Sequence, residues 1–507
     1  MNYELCIDDK DFIKKHLKDD VNKLALSKFP EGIDKQFVIR QIQARQVLSK
    51  KLPSWAENDE LIFPKKLSLE QCSSELTAKY KATLLSTKVH ENARKEFSED
   101  SCELVEEKEF SEDSCGLVEE KEFGEDSCGL VEEKEFSEDS CGLVEEKRFS
   151  VDSCELVEEK RFSADSCGLV EEKRFSVDSC ELVDKERVLV DLTGGMGVDT
   201  AFLSDDFDKT FYVEMQEELC EIAKHNFKVL NKNIEVVNDN AEHFLTICDE
   251  VDCIYLDPAR RDEYGRKMVS LHDCSPDVVE LHDLLLEKAK RVLIKVSPML
   301  DIEMVKKELK DISSIHVVAV RNECKEVLIS QRTTDNGQQS VGASQHLSIT
   351  ATDLREGWNF TFFEEEELNA QWTLADGVGK YLYEPGVACM KAGCFKLLSQ
   401  RYALDKLHRN SHLYTSDELI SDFPGRIFEV LEVFPFDKKT KKEITSLLNQ
   451  QPKANSQRPK VSVATRNFPL SAEELKKNLG VQDGSDFYLF GTTMKGEKKV
   501  VIIVKKN

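Results

Sequence analysis

The chain has 507 residues, 40% of them hydrophobic, and a formal net charge of −27. That length accommodates about three domains with real cores. With no apolar leader after a basic start and no long apolar run, it predicts a cytoplasmic protein without an export signal or membrane span. Sixteen cysteines predict reduced thiols rather than a disulfide framework, since seven of them belong to a repeat.

Residues 1–96 read as a helical region. DFIKKHLKDDVNKLALSKF and DKQFVIRQIQARQVLSKKL place apolar residues three to four apart. Beyond Pro53 and Pro64, SLEQCSSELTAKYKATLL reads as a further helix. On its own residues it reads as an amphipathic helix on a sheet edge with Ser73 as its cap.

Over residues 97–187 a 13-residue unit recurs seven times, with Phe at 97, 110, 123, 136, 149, 162 and 175 and one Cys in each copy. The array carries −20 of the −27 charges, so the acidity belongs to the insert. Each copy offers only Phe, Cys, Leu and Val to bury and supplies one thiol without a histidine or a CxxC pair. A solvated, mostly disordered or loosely helical insertion is expected, with a stacked helical arm or a partner-binding tether as the other readings.

From Val188 the pattern becomes strand and helix in alternation. VLVDLTGGMGVD is an apolar run ending in Asp191, then a turn with Gly194, Gly195 and Gly197, then a helix opening at Asp199. Such turns need positive φ and close backbone approach. TFYVE is a second strand ending in Glu214, 23 residues after Asp191, close to the spacing at which an acid meets ribose hydroxyls. A third strand, 234–237, ends in Asn238-Asp239-Asn240, and a fourth, 251–256, in Asp257-Pro258-Ala259-Arg260-Arg261. Four strands finishing on polar residues place a ligand at their carboxyl ends.

DLTGGMGVD, the acid in YVE, the NDNAEHF turn and YLDPARR resemble motifs of class I S-adenosylmethionine-dependent methyltransferases. More narrowly, they resemble a bacterial family of that class carrying ferredoxin-like and THUMP-like C-terminal domains. The resemblance implies S-adenosyl-L-methionine as cofactor, and SLEQCSSELTAKYKATLL resembles the segment such enzymes place just before their first strand, where Gln71, Ser73, Ser74 and Thr77 would contact the cofactor it covers. Asp191, Thr193, Gly194, Gly195, Gly197 and Asp199 would then lie toward its methionine end, Glu214 on the ribose, and Asn240 or Asp239 at the adenine amine. Asp199 stands where a dinucleotide fold wants a small residue, and an acid there would repel a pyrophosphate, which favours S-adenosylmethionine over NAD.

In such a core, spanning 188–332, Asp257, Pro258 and Arg260 are the catalytic candidates. Asp257 can accept from an acceptor group, but Arg260 replaces the aromatic that base-amine methylation favours. Arg260 and Arg261 offer planar donors to phosphate or base, or pair with Asp262 and Glu263. Carbon-5 methylation of a pyrimidine needs a cysteine nucleophile, yet RVLIKVSPMLD has Ser297-Pro298 in the corresponding turn. Cys324 is the one core cysteine worth testing, with a buried packing residue as the plainer reading.

Residues 333–432 resemble the family's ferredoxin-like domain, with a polar linker or hairpin, a strand at 358–363, and Cys389 and Cys394 as helix-packing residues rather than metal ligands. Residues 433–507 read β-α-β-α-β-β and resemble a THUMP-like domain. From Asp437 onward 15 Lys or Arg stand against 7 Asp or Glu, a basic module within an acidic chain. Lys438, Lys439, Lys441, Lys442, Arg458, Lys460 and Arg466 are candidate RNA contacts; a solvated helix face is the alternative. The predicted fold is α/β: a Rossmann-like class I methyltransferase core with an N-terminal helical region, an acidic repeat insert, and α+β ferredoxin-like and THUMP-like C-terminal domains. The predicted function is methylation of RNA, tRNA or rRNA, with no metal. A methyltransferase of a small molecule or protein, or an RNA-binding protein that has lost catalysis, are the alternatives.

Overall fold

The computed structural model describes residues 5–86, 157–161, 172–176, 186–259, 270–332, 346–437, 439–450 and 460–506. The chain divides into two units, one holding residues 88–185 and the other all the rest. Within the repeat the described residues are two strands, β1 (Val157–Arg161) and β2 (Glu172–Ser176), paired antiparallel with Val157 opposite Ser176. The expectations about the remainder of the array fall outside the described residues.

In the larger unit the N-terminal region is helical, as its periodicity predicts, with Ile7–His16, Val21–Leu26, Lys35–Leu48, Pro53–Ala56, Lys66–Gln71 and Glu75–Leu85. The first amphipathic stretch is two helices, because the Asp20 carboxylate accepts from the backbone N–H groups of Asn22 and Lys23 and starts a new one. The cap of Glu75–Leu85 is Ser74, whose hydroxyl accepts from Thr77 N at 3.2 Å. Ser73, expected as that cap, instead turns toward the sheet.

The central sheet has nine strands in the order β11-β10-β8-β9-β7-β6-β3-β4-β5. They are β3 (Val188–Asp191), β4 (Lys209–Val213), β5 (Ile234–Val237), β6 (Val251–Leu256), β7 (Ala289–Val296), β8 (Ile312–Val320), β9 (Glu323–Arg332), β10 (Ser348–Asp353) and β11 (Trp358–Phe363). β5, β4, β3, β6 and β7 run parallel, and β9 enters antiparallel between β7 and β8. Strand order reverses at β3, between β4 and β6, which is the switch point where open α/β sheets bind ligands. β10 and β11 also belong to this sheet, β10 lying parallel to β8. The core therefore reaches past the boundary expected after residue 332.

A second sheet of seven strands has the order β13-β14-β12-β15-β18-β17-β16. Its members are β12 (Tyr381–Pro385), β13 (Asp405–Lys406), β14 (Tyr414–Ser416), β15 (Gly425–Pro435), β16 (Lys460–Arg466), β17 (Gln482–Met494) and β18 (Lys498–Lys506). The expected division between 432 and 433 falls inside β15, whose first half pairs with β12 and second half with β18. Glu384 on β12 is buried and accepts from both Arg426 on β15 and Arg466 on β16, the latter at 2.6 Å. One sheet and one shared carboxylate thus join the two C-terminal segments. They also meet the core: Val387 N donates to Asn322 Oδ1 at 3.0 Å, and Lys391 Nζ to the carbonyl of Leu300.

Candidate active site

Side chains two apart on a strand share a face. Under the helix Glu75–Leu85 one face of the central sheet is apolar, with Leu189, Cys253, Tyr255, Leu293 and Leu328 packed beside Leu85. At the carboxyl ends of β3, β6 and β7 the same face turns polar. Asp191 and Asp257 lie two residues beyond Leu189 and Tyr255, and Lys295 two beyond Leu293. Glu326 stands two before Leu328 on the antiparallel β9. The apolar part holds the layers together, and the polar part forms a site at the switch point.

The glycine turn after β3 is built for packing and for backbone shape. Gly195 and Gly197 have φ of 55° and 79°. A Cβ at Gly194 would sit 2.2 Å from the Tyr212 ring, whereas one at Gly195 meets nothing nearer than 3.7 Å and opens onto space. Gly195→Ala is therefore expected to cost about 1–2 kcal/mol of backbone strain alone, and Gly194→Ala appreciably more. Thermal melts of the two variants check the order.

Asp191 is buried, with one oxygen accepting from Thr193 N at 3.0 Å and the other from the Thr200 hydroxyl at 2.6 Å. It shapes the turn from inside rather than facing a ligand. Burial pushes its pKa up to about 7, against the opposing pull of those two bonds. Between its ordinary value of 3.8 and about 7, the folded state binds a proton that the unfolded chain has lost. Its contribution to stability is complete at the acid end of that window and is lost as pH rises through it. Asp191→Asn is expected to flatten this fall in urea-unfolding free energy; an unchanged slope would exclude it.

Glu214 follows β4, and its carboxylate accepts from Gly195 N at 3.0 Å and Gln216 N at 2.8 Å. The residue after it, Met215, is 70% exposed. Thr193 links the turn to β6, its hydroxyl accepting from Asp257 N at 2.6 Å. Asp257, 27% exposed in its side chain, accepts from Lys295 Nζ at 2.5 Å.

Behind that pair lies a buried charge network. Lys81 is fully enclosed; its ammonium donates to both oxygens of Glu326, at 2.8 and 3.1 Å, and to Ser73 Oγ at 3.1 Å, and lies 3.3 Å from Asp199 Oδ1. Asp199 Oδ2 accepts from the Ser73 and Tyr255 hydroxyls, both at 2.7 Å. Burial alone would raise the Asp199 pKa, but Lys81 and Lys295 outweigh it and hold the acid below its ordinary value. For Glu326 burial wins and the pKa is raised, although Lys81 and Lys295 oppose it. Asp199 was expected beside the cofactor; its contacts are with the protein's own cations and hydroxyls. Lys81, Lys295, Glu326 and Tyr255 were not among the sequence candidates. For Lys295 and Glu326 the signal was a charge inside an apolar run, as in VLIKV and KEVLIS.

Asn240 caps the helix Ala241–Ile247, its Oδ1 accepting from His243 N at 2.7 Å, so that carbonyl is already used. Asp239 accepts from Asn240 N and contacts the His243 imidazole at 2.6 Å; that hydrogen bond, foremost, holds its pKa down. Pro258 is buried, and Arg260 and Arg261 lie outside the described residues. Burial pushes the Cys324 thiol up to about 11, the opposite of an activated nucleophile. Cys389 and Cys394 are buried, with the Cys394 thiol donating to the Cys389 carbonyl, as packing residues do. Among the described residues no group of three or more His, Cys, Asp or Glu is placed to hold a metal, and no helix is long and apolar enough to cross a membrane.

Comparison with known proteins agrees with this architecture. A ferredoxin-like domain model matches residues 381–424 and a THUMP domain-like model residues 425–506. The crystal structure of a "putative methyltransferase" from Porphyromonas gingivalis W83 is 27% identical over 99% of this chain and 98% of its own, with a TM-score of 0.68. The chain thus carries ferredoxin-like and THUMP-like domains at its C-terminus, on a mixed α/β fold similar over its whole length to that Porphyromonas gingivalis structure. An rRNA methylase from Streptococcus thermophilus is 19% identical over 30% of this chain and 92% of its own, with a TM-score of 0.23. A Streptococcus mutans methyltransferase of likewise provisional description, in complex with SAH, is 18% identical over 29% and 88%, also at 0.23. Neither adds to the argument at that level of similarity. No curated protein matches the chain.

On the THUMP-like domain Lys439, Lys441 and Lys442 are exposed around the start of the helix Thr440–Gln450, and Lys460 is exposed at the start of β16. Arg466 is partly buried and committed to Glu384, a structural contact within the domain pair rather than an open phosphate ligand. Lys438 and Arg458 lie outside the described residues.

Proposed function

We propose that the chain is an S-adenosylmethionine-dependent methyltransferase acting on RNA, with the THUMP-like domain holding the substrate. The observation that carries this reading is the link between Thr193 and Asp257. A single 2.6 Å hydrogen bond ties a glycine turn suited to the cofactor to an acid suited to the acceptor, at the switch point of the sheet.

The residues at the turn fit that cofactor. Gly195 leaves open space where a side chain would intrude, and Glu214 offers a carboxylate that two ribose hydroxyls can take over from Gly195 N and Gln216 N. Asp239 is the better placed acid for the adenine amine, since Asn240 is spent on its helix. Bound there, the cofactor supplies an already activated methyl group. The protein's task is then alignment of the acceptor and removal of its proton, the latter by Asp257. RNA as substrate is favoured by the lysines around Thr440 and the basic balance of the THUMP-like domain.

The test is calorimetry with adenosylhomocysteine, together with transfer of a labelled methyl group from the cofactor to total RNA. Heat of binding and labelled RNA are expected. Heat with label only in protein or small molecules would move the reading to a methyltransferase of another substrate. RNA binding without heat would make it a binding protein.

A further inference from the structure

The acceptor end of the site contains a cation that the reading above does not use. Lys295 projects from β7, 7% exposed in its side chain, and its ammonium lies 2.5 Å from Asp257 Oδ2 and 3.3 Å from Ser73 Oγ. Burial disfavours its charge, but Asp257, Asp199 and Glu326 together more than compensate and hold the lysine protonated, above its ordinary range. Lys81, fully enclosed, contacts two of these carboxylates, Asp199 and Glu326. The arrangement is two tiers deep. Lys81 with Glu326 is the enclosed tier, and Lys295 with Asp199 and Asp257 is the tier nearer the rim.

The charge at the rim discriminates between acceptor atoms. A base amine that attacks a methyl group develops positive charge on nitrogen, and an ammonium held beside the accepting carboxylate opposes it. A hydroxyl that attacks loses its proton and develops negative charge on oxygen, which the same ammonium stabilises while the carboxylate takes the proton. Carbon methylation through a covalent adduct is disfavoured, since Cys324 is partly buried and its burial raises the thiol rather than activating it. Along an RNA chain the hydroxyl at every nucleotide is the ribose 2′-OH.

We propose that this site methylates a ribose 2′-hydroxyl of RNA, with Lys295 fixing the attacking oxygen and Asp257 accepting its proton. The proposal rests on the RNA methyltransferase reading and specifies its acceptor. Asp257 takes the hydroxyl proton as the oxygen–carbon bond forms. The methyl–sulfur bond breaks in the same step, and sulfur keeps the electron pair, so no further reactant is required. Lys295 keeps its own protons throughout and offers one to the oxygen. Lys81 and Glu326 do not touch the substrate; they position Lys295 and Asp257 by fixing the charge balance behind them.

The deciding experiment is nucleoside analysis of RNA labelled by the full-length protein. Label in 2′-O-methylnucleosides supports the proposal. Label in base-methylated nucleosides overturns it and leaves RNA methylation standing. No label in RNA, with adenosylhomocysteine binding intact, overturns the RNA reading and this proposal with it. Lys295→Met is expected to slow transfer roughly 100-fold or more with adenosylhomocysteine binding unchanged, and Lys295→Arg to recover part of the rate. Transfer by Lys295→Met at the wild-type rate would overturn the assignment. A binding measurement without methyl donor makes the same point independently of turnover. A single 2′-deoxy substitution at the mapped nucleotide should weaken binding to the wild type about tenfold and leave binding to Lys295→Met unaffected. Equal weakening in both proteins would remove Lys295 from contact with that hydroxyl.

Discussion

Lys81→Met is expected to lower the free energy of unfolding by about 3–5 kcal/mol. Lys81 is fully buried and is the cation that Glu326 touches at 2.8 Å and Asp199 at 3.3 Å. Removing it leaves the buried Glu326 and the partly buried Asp199 with Lys295 as the cation to balance them. Methionine fills the same volume, so packing is nearly conserved and the loss reports the electrostatics. Urea unfolding at neutral pH measures it. Adding Glu326→Gln should return a large part of the loss, since the second charge then no longer needs a partner. A single-variant loss below about 1 kcal/mol would show that water reaches the network and that the pair behaves as a surface contact.

Asp257→Asn is expected to reduce methyl transfer by about 10²- to 10⁴-fold while leaving adenosylhomocysteine affinity unchanged. The amide keeps the shape and can still accept from Lys295, and the backbone bond from Asp257 N to Thr193 is untouched. What it loses is the capacity to take a proton. Single-turnover transfer to RNA, paired with calorimetry, separates the two effects. Parallel loss of binding and transfer would mean that Asp257 organises the cofactor turn rather than the acceptor.

The parallel half of the central sheet is legible in the sequence because each strand is a short apolar run stopped by an acid or a glycine turn, as at Asp191, Glu214 and Asp257. The helical start and the β-α-β-α-β-β ending are legible for the same reason, a clean period. The boundaries after 332 and 432 were not, because β10, β11 and β15 are placed by pairing with strands distant in sequence, which periodicity does not encode. The site was half legible. Its strand-end acids stand in recognisable turns, whereas Lys81, Lys295 and Glu326 come from a helix and two strand interiors far apart in the chain and become a site only when the sheet assembles. Asp199 illustrates the limit: the sequence shows an acid at the helix start, but Tyr255, Ser73 and Lys81, which determine what that acid does, are not its neighbours in sequence.

The seven-stranded sheet passes from the ferredoxin-like into the THUMP-like domain where β12 pairs with β15, and Glu384 of the first clamps Arg426 and Arg466 of the second. Two modules that share one hydrogen-bonded sheet turn as one piece. For an enzyme that grips RNA on one module, such a piece works as a caliper set to a single opening. With RNA as the substrate proposed above, such a piece would select by the span between the gripped stem and the modified nucleotide, and lengthening that stem by a base pair should cost more activity than changing its sequence.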